Sequence, residues 1–132
     1  MALAHSTAIR NALADLVVDL VDVGTGTAGG VLQLTSTMDD YTGSNLLAEI
    51  VFPATAFGAA AAGVATALGV PLEDTTANNT GTAVQFRIID RAGLQLLTGT
   101  VAASGADLNM SSTAITAGDA VRLTSFTYTS SL

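Results

Sequence analysis

Cysteine is absent, which excludes disulfides, thiolate metal sites and thiol nucleophiles and leaves the redox compartment open. Lysine is absent too: the four cationic side chains are Arg10, Arg87, Arg91 and Arg122, set against 11 acidic residues for a net charge of -7. A phosphate backbone is bound by clustered cations, so nucleic acid is not expected as a partner. Tryptophan is missing and aromatic residues make up 5%, too few for the aromatic girdles of an outer-membrane barrel. No run reaches the ~18 apolar residues of a transmembrane helix, and no membrane partner is expected. The opening residues 1–6 carry no basic stretch, and Asp15 and Asp19 interrupt what could have been a signal-peptide core.

Charge of either sign is scarce. Charged residues amount to 11%, where about 25% is usual for soluble domains, while apolar residues reach 49% and the mean hydropathy is +0.53. A chain of 132 residues makes one domain, residues 1–132, with a single core and much surface for its volume. A surface this short of charge is explained if part of it is buried against copies of the chain or against another protein. A coat of Thr, Ser, Gly and Ala is the plainer alternative and is adequately soluble.

What is present is strand pattern. Residues 83–101 read as a β-hairpin in which Val84, Phe86 and Ile88 alternate with Gln85 and Arg87, one face apolar and the other wet. Asp90 to Gly93 suits a type I turn closed by Gly93 in a left-handed conformation. The return arm is expected to place Leu94, Leu96 and Val101 on one side and Leu97 on the other. A lone hairpin is marginal in water, so further strands must cover it.

Residues 6–22 predict an amphipathic helix. Ser6 or Thr7 caps its start, and Ile9, Leu13, Leu16, Val17, Leu20 and Val21 recur at spacings of three and four. Asn11, Asp15, Asp19 and Asp22 fall opposite. Asp15 and Asp19 repel at i,i+4, and Asp19 and Asp22 sit at the negative end of the macrodipole, so packing of the apolar stripe must hold the helix. Laying that stripe over the chain's own sheet is the plainer expectation; docking on a neighbouring subunit satisfies it equally. Gly24 to Gly29 matches the dinucleotide fingerprint GxGxxG in form only, because here a helix enters the loop and a strand leaves it.

Strand signals then recur at short intervals: residues 31–35, 46–52 and 64–68, the hairpin, a broken strand across 108–115, and a long last strand over 121–129 bulged between Leu123 and Phe126. Residues 57–63 are rich in Gly and Ala and read as one helical turn or a close-packed loop; 71–81 reads as a polar loop. About seven or eight strands after one helix, with no helices between them, predict a mainly β chain folded as an antiparallel sandwich or barrel over residues 31–129.

No catalytic constellation stands out. His5 is the only histidine and lies near a terminus, outside any triad pattern. Asp39-Asp40 and Glu73-Asp74 read as solvated turn acids, and no Asp-x-Asp-x-Asp-Gly spacing marks a calcium loop. No cofactor, metal or enzymatic activity is expected.

The order of segments resembles small accessory proteins from the structural gene blocks of tailed bacteriophages. The stretches that carry the likeness are Asn11-Ala12-Leu13-Ala14-Asp15, Phe57-Gly58-Ala59-Ala60 before Gly63-Val64-Ala65-Thr66-Ala67, and Phe86-Arg87-Ile88-Ile89-Asp90. Toward the end come Ser104-Gly105-Ala106-Asp107-Leu108-Asn109, residues 115–121, and Leu123-Thr124-Ser125-Phe126-Thr127-Tyr128. Proteins of this kind look like capsid decoration or cement proteins with jelly-roll-like folds. The resemblance implies an antiparallel jelly-roll-like β-sandwich behind the N-terminal helix. It implies a homo-oligomer, dimer or trimer, made in the host cytoplasm and bound to the major capsid protein on the outer surface of the virion shell. It carries over no catalytic residue. The contacts expected for such docking are Ile9, Leu13, Leu16, Val17 and Leu20 on the helix and the segment Ala59, Ala60, Ala61 and Ala62. The alternative is a carbohydrate- or host-binding jelly-roll module of the phage tail, with Tyr41 as the aromatic to contact a sugar.

Overall fold

The computed structural model describes residues 5–26, 29–110 and 112–130. Ser6 caps helix α1 (Thr7–Asp19), its hydroxyl accepting the N–H of Ile9, and a 3-10 turn, Leu20–Asp22, extends it. Eleven strands follow among the described residues. They are β1 (Val31–Thr35), β2 (Leu46–Val51), β3 (Val64–Thr66), β4 (Leu72–Asp74), β5 (Gly81–Thr82), β6 (Gln85–Ile89), β7 (Gln95–Ala102), β8 (Leu108–Asn109), β9 (Ala114–Ile115), β10 (Val121–Leu123) and β11 (Thr127–Thr129). Five of them form one curled sheet in the order β2-β1-β6-β7-β8, and the others pair as β10-β4, β11-β3 and β5-β9. Every pairing is antiparallel except β7-β8. The chain is mainly β with one N-terminal helix, as its pattern predicts.

The period of two sets the core. Leu32, Leu34, Ala48, Ile50, Phe86 and Ile88 lie on one face of the sheet and pack with Val121 and Leu123 of β10, with Phe126 between β10 and β11, and with Ala14 and Val18 of α1 and Val21 of its 3-10 extension. All four phenylalanines of the chain touch in series: Phe52 to Phe57 at 5.6 Å, Phe57 to Phe126 at 5.9 Å, and Phe126 to Phe86 at 5.5 Å between ring centroids.

Over β1 the opposite face is not wet, though Val51 at the end of β2 is exposed. Every residue of β1 is buried, and the polar side chains there find partners across the strands. Gln33 donates to Glu49 and accepts from Arg87 Nε at 2.6 Å; Gln85 Oε1 accepts the Tyr41 hydroxyl at 3.1 Å and the N–H of Asp39 at 2.7 Å. The Arg87 guanidinium lies 4.3 Å above the Tyr41 ring. The loop ahead of β2 therefore covers the side that alternation alone assigns to water.

The hairpin turn forms as expected: Asp90 accepts the N–H groups of Ala92 and Leu94, both at 2.9 Å, and Gly93 has φ +94°. The return arm differs. A register shift between Ile88 and Ile89 sets Leu97 opposite Ile88, so Leu97, Gly99 and Val101 share the core side, and Leu96, left unpaired at the shift, packs against the core with Leu97. Leu94 stays exposed at the tip.

Residues 71–81, read as loop, contain β4 and the first residue of β5, strands too short for alternation to reveal. Residues 121–129 are two strands with different partners: β10 pairs with β4 and β11 with β3. The change of apolar phase between Leu123 and Phe126 thus marks a switch of ladder, not a bulge. Residues 57–63 form a close-packed loop with isolated bridges, Phe57 to Ala67 and Ala61 to Val64.

Candidate docking surface

Three side chains of α1 and its 3-10 extension accept backbone N–H groups from the loop of residues 56–63. Asn11 takes the N–H of Gly63 at 2.7 Å, Asp15 that of Ala60 at 2.7 Å, and Asp22 that of Ala56 at 2.9 Å. Spacings of four and seven put the three acceptors on one stripe of the helix, and the loop runs antiparallel beside it. An irregular segment leaves N–H groups that no ladder absorbs, and half-buried donors need acceptors. The helix supplies them. At Gly63, beside the Arg10 guanidinium, φ is +79°, a left-handed conformation that favours glycine at this turn of the loop.

This anchoring inverts the expected orientation. Asn11, Asp15 and Asp22, together with Ala14, Val18 and Val21, face the protein, so Val21 leaves the expected stripe, while Asp19 of the expected polar side is exposed. The rest of the apolar stripe faces outward: Ile9 is 49% exposed, Leu13 36%, Leu16 62% and Leu20 43%, with Val23 beyond it at 53%. The expectation that the stripe lies over the chain's own sheet is overturned, because charge-assisted hydrogen bonds to the loop win the inward side. Val17 is half-buried between the two faces, Ala59, Ala61 and Ala62 are exposed and Ala60 is half-buried. The three bonds bring that alanine segment alongside the helix, so the two groups of residues singled out for docking are neighbours.

Sequence reasoning missed Val23, which continues the three-and-four spacing, and misjudged Asp15 and Asp22 as burdens on the helix. The available signal was that Asn11, Asp15, Val18 and Asp22 share one side.

The other candidate residues serve local structure. Asp40 accepts the N–H and hydroxyl of Thr42 at 3.0 and 2.6 Å and the amide of Asn45 at 2.9 Å, and these bonds, the Thr42 hydroxyl first, hold its carboxyl below the usual carboxylate range. Glu73 pairs with Arg122 at 2.8 Å; Asp74 accepts the N–H groups of Glu49 and Thr76. His5 is exposed. No cluster of three or more His, Cys, Asp or Glu exists among the described residues. A cleft of about 430 Å³ opens beside β10 over Leu32, Leu34 and Ile50, and Asp119 is the one acid among the residues lining it.

Tyr41 is buried beneath the Arg87 guanidinium. Burial pushes its phenol up to about 12, Asp39 adding to the effect and Arg87 opposing it. No aromatic side chain of the protein is fully exposed: the four Phe and Tyr41 are buried and Tyr128 is half-buried. No helix among the described residues is long and apolar enough to cross a membrane. Compared with known proteins, the chain matches no family model, no curated protein and no solved structure.

Proposed function

We propose that this chain is a structural docking protein that works on a larger protein coat, and in its specific form a virion decoration or cement protein: a homo-oligomer bound to the outer surface of a major capsid protein shell, which it reinforces. The observation that supports this is the helix, whose polar side is spent on the chain's own loop while Ile9, Leu13, Leu16 and Leu20 are left to solvent. An apolar stripe so placed is stabilised only when another protein covers it. The net charge of -7 and the absence of lysine suit a protein partner better than a nucleic acid. The shell as partner comes from the resemblance of residues 11–15, 57–60, 63–67, 86–90, 104–109, 115–121 and 123–128 to phage head accessory proteins. A jelly-roll-like sandwich belongs to the same proposal, with the ladders β3-β11 and β4-β10 as the second layer over the apolar face of the five-stranded sheet.

Co-sedimentation with empty shells tests the reading. The wild-type chain is expected to pellet at a saturating, fixed ratio to shell subunits, and Leu16→Asp is expected to stay in the supernatant while keeping its fold. A wild-type chain that never pellets, or a Leu16→Asp variant that pellets equally well, contradicts it.

A further inference from the structure

Ile9, Leu13 and Leu16 on α1, Leu20 at its C-cap and Val23 just past the 3-10 turn, where the backbone is extended, are separated by four, three, four and three residues. From Ile9 to Leu20 that is the strict a/d spacing of a coiled-coil seam, narrower than the stripe of a helix that lies on a sheet. The opposite side of the helix is occupied by Ala14, Val18 and Val21 and by the anchors Asn11, Asp15 and Asp22. A seam of this spacing is complemented by another seam of the same spacing, and α1 is the one helix longer than three residues among the described residues. We propose that the seam is covered by the seam of a second copy of this chain. The two helices run antiparallel about a twofold axis level with the Ala14-Asp15 peptide. Leu13 then packs on Leu16 of the second copy, and Ile9 on Leu20 of the second copy. This gives the homo-oligomer proposed above its contact and rests on that reading: copies paired through the seam bind the shell together, so a variant that cannot pair loses the shell as well.

Charge selects the direction. The first turn of α1 has no acidic residue and its last turn no basic one, while Asp19 and Asp22 stand at the negative end of the macrodipole. A parallel pair would set both acidic ends side by side. The antiparallel pair lays each acidic end along the positive N-terminal turn of the other helix. The positions flanking the seam are Ala12 and Asp19 on one side and Arg10 and Val17 on the other. In antiparallel pairing like flanks meet, so Asp19 faces Ala12 and Arg10 faces Val17, and no like charges oppose.

Area sets the strength. The five side chains expose an apolar surface on the order of 400 Å² per copy, in the range that marks an interaction site but below the roughly 800 Å² per partner of a standard stable interface. Pairing in free solution is therefore weak and concentration-dependent, and strengthens where many copies are held on one surface.

The absence of cysteine gives a clean test. Ile9→Cys and Leu20→Cys variants are mixed and oxidised. Antiparallel pairing yields the mixed 9-to-20 disulfide and little self-linked product, because two copies of residue 9 lie about 16 Å apart along the axis, beyond the ~7 Å Cα separation a disulfide spans. Self-linking of each variant means parallel pairing and overturns the proposal. Yields no higher than from a Thr55→Cys control mean that a second copy does not cover the seam, which also overturns it. Sedimentation equilibrium supplies the second readout: Leu16→Asp, with a carboxylate at the seam centre, is expected to raise the dimer dissociation constant by at least ~100-fold. Shell binding without the mixed disulfide leaves the docking function standing and removes self-pairing; the mixed disulfide without shell binding does the reverse.

Discussion

The Asp15 carboxylate accepts the backbone N–H of Ala60 at 2.7 Å, and this bond decides which side of the helix looks outward. Leu16, the next residue, is the most exposed member of the apolar stripe at 62%. Once the acids of one side are committed to the loop, the leucines of the other have only solvent or a partner.

Removing that acceptor leaves a half-buried N–H without a partner. Asp15→Ala is expected to destabilise the fold by about 1–3 kcal/mol, the range for a donor left without its acceptor. Asp15→Asn keeps an oxygen in place and is expected to lose clearly less. Urea midpoints of the two variants check this; equal losses would mean that the carboxylate oxygen does not hold the loop.

The two sides of the helix should answer oppositely to truncation. Val18 is 1% exposed, and Val18→Ala is expected to cost about 2 kcal/mol through lost burial and a cavity. Leu16→Ala, on the outer side, is expected to stay within about 0.5 kcal/mol of wild type. Thermal melts at low protein concentration compare them, and the reverse ranking would place the stripe inward.

Phe126 joins two parts of the aromatic series, touching Phe57 on one side and Phe86 on the other. Phe126→Ala is expected to cost about 3–5 kcal/mol, the upper range for a core truncation. Denaturant unfolding measures it. A loss under about 1 kcal/mol would show that the last strands are not part of the main core.

Tyr41 gives the fold an alkaline limit. Its folded value of about 12 lies above the ordinary 10.0, so between those values the unfolded chain has lost the proton that the folded chain keeps. The contribution is complete below pH 10 and is lost as pH rises toward 12. Stability measured at pH 9 and pH 11.5 is expected to fall, with a phenolate absorbance step near pH 12 that Tyr41→Phe removes. A wild-type phenolate titration complete by pH 10.5 would show that Tyr41 is not buried.

Much of this was legible in the residues, for identifiable reasons. The hairpin turn follows from Asp90 and Gly93, whose chemistry is local, and the core side of β6 follows from the alternation of Phe86 and Ile88 with Gln85 and Arg87. The helix was legible as a helix but not in its orientation, since hydrophobic periodicity predicts burial of the stripe whatever the neighbouring loop requires. Only the loop's unpaired N–H groups, created by the tertiary fold, turn Asn11, Asp15 and Asp22 inward. Gln85 and Arg87 fall on the face that alternation assigns to water for the same reason: their partners Asp39 and Tyr41 lie far away in sequence. The two short strands β4 and β5 carry no periodic signal at all.

The most direct measurement is the reactivity of a single thiol at Leu16→Cys toward a soluble maleimide, taken in the dilute chain and again after assembly. A thiol that labels at the rate of a free peptide when dilute, and is protected at least tenfold or so once copies or shell are bound, is the result expected here. A thiol already protected in the dilute monomer would contradict the outward-facing stripe, and one equally reactive in the assembly would show that the stripe is not where this protein docks.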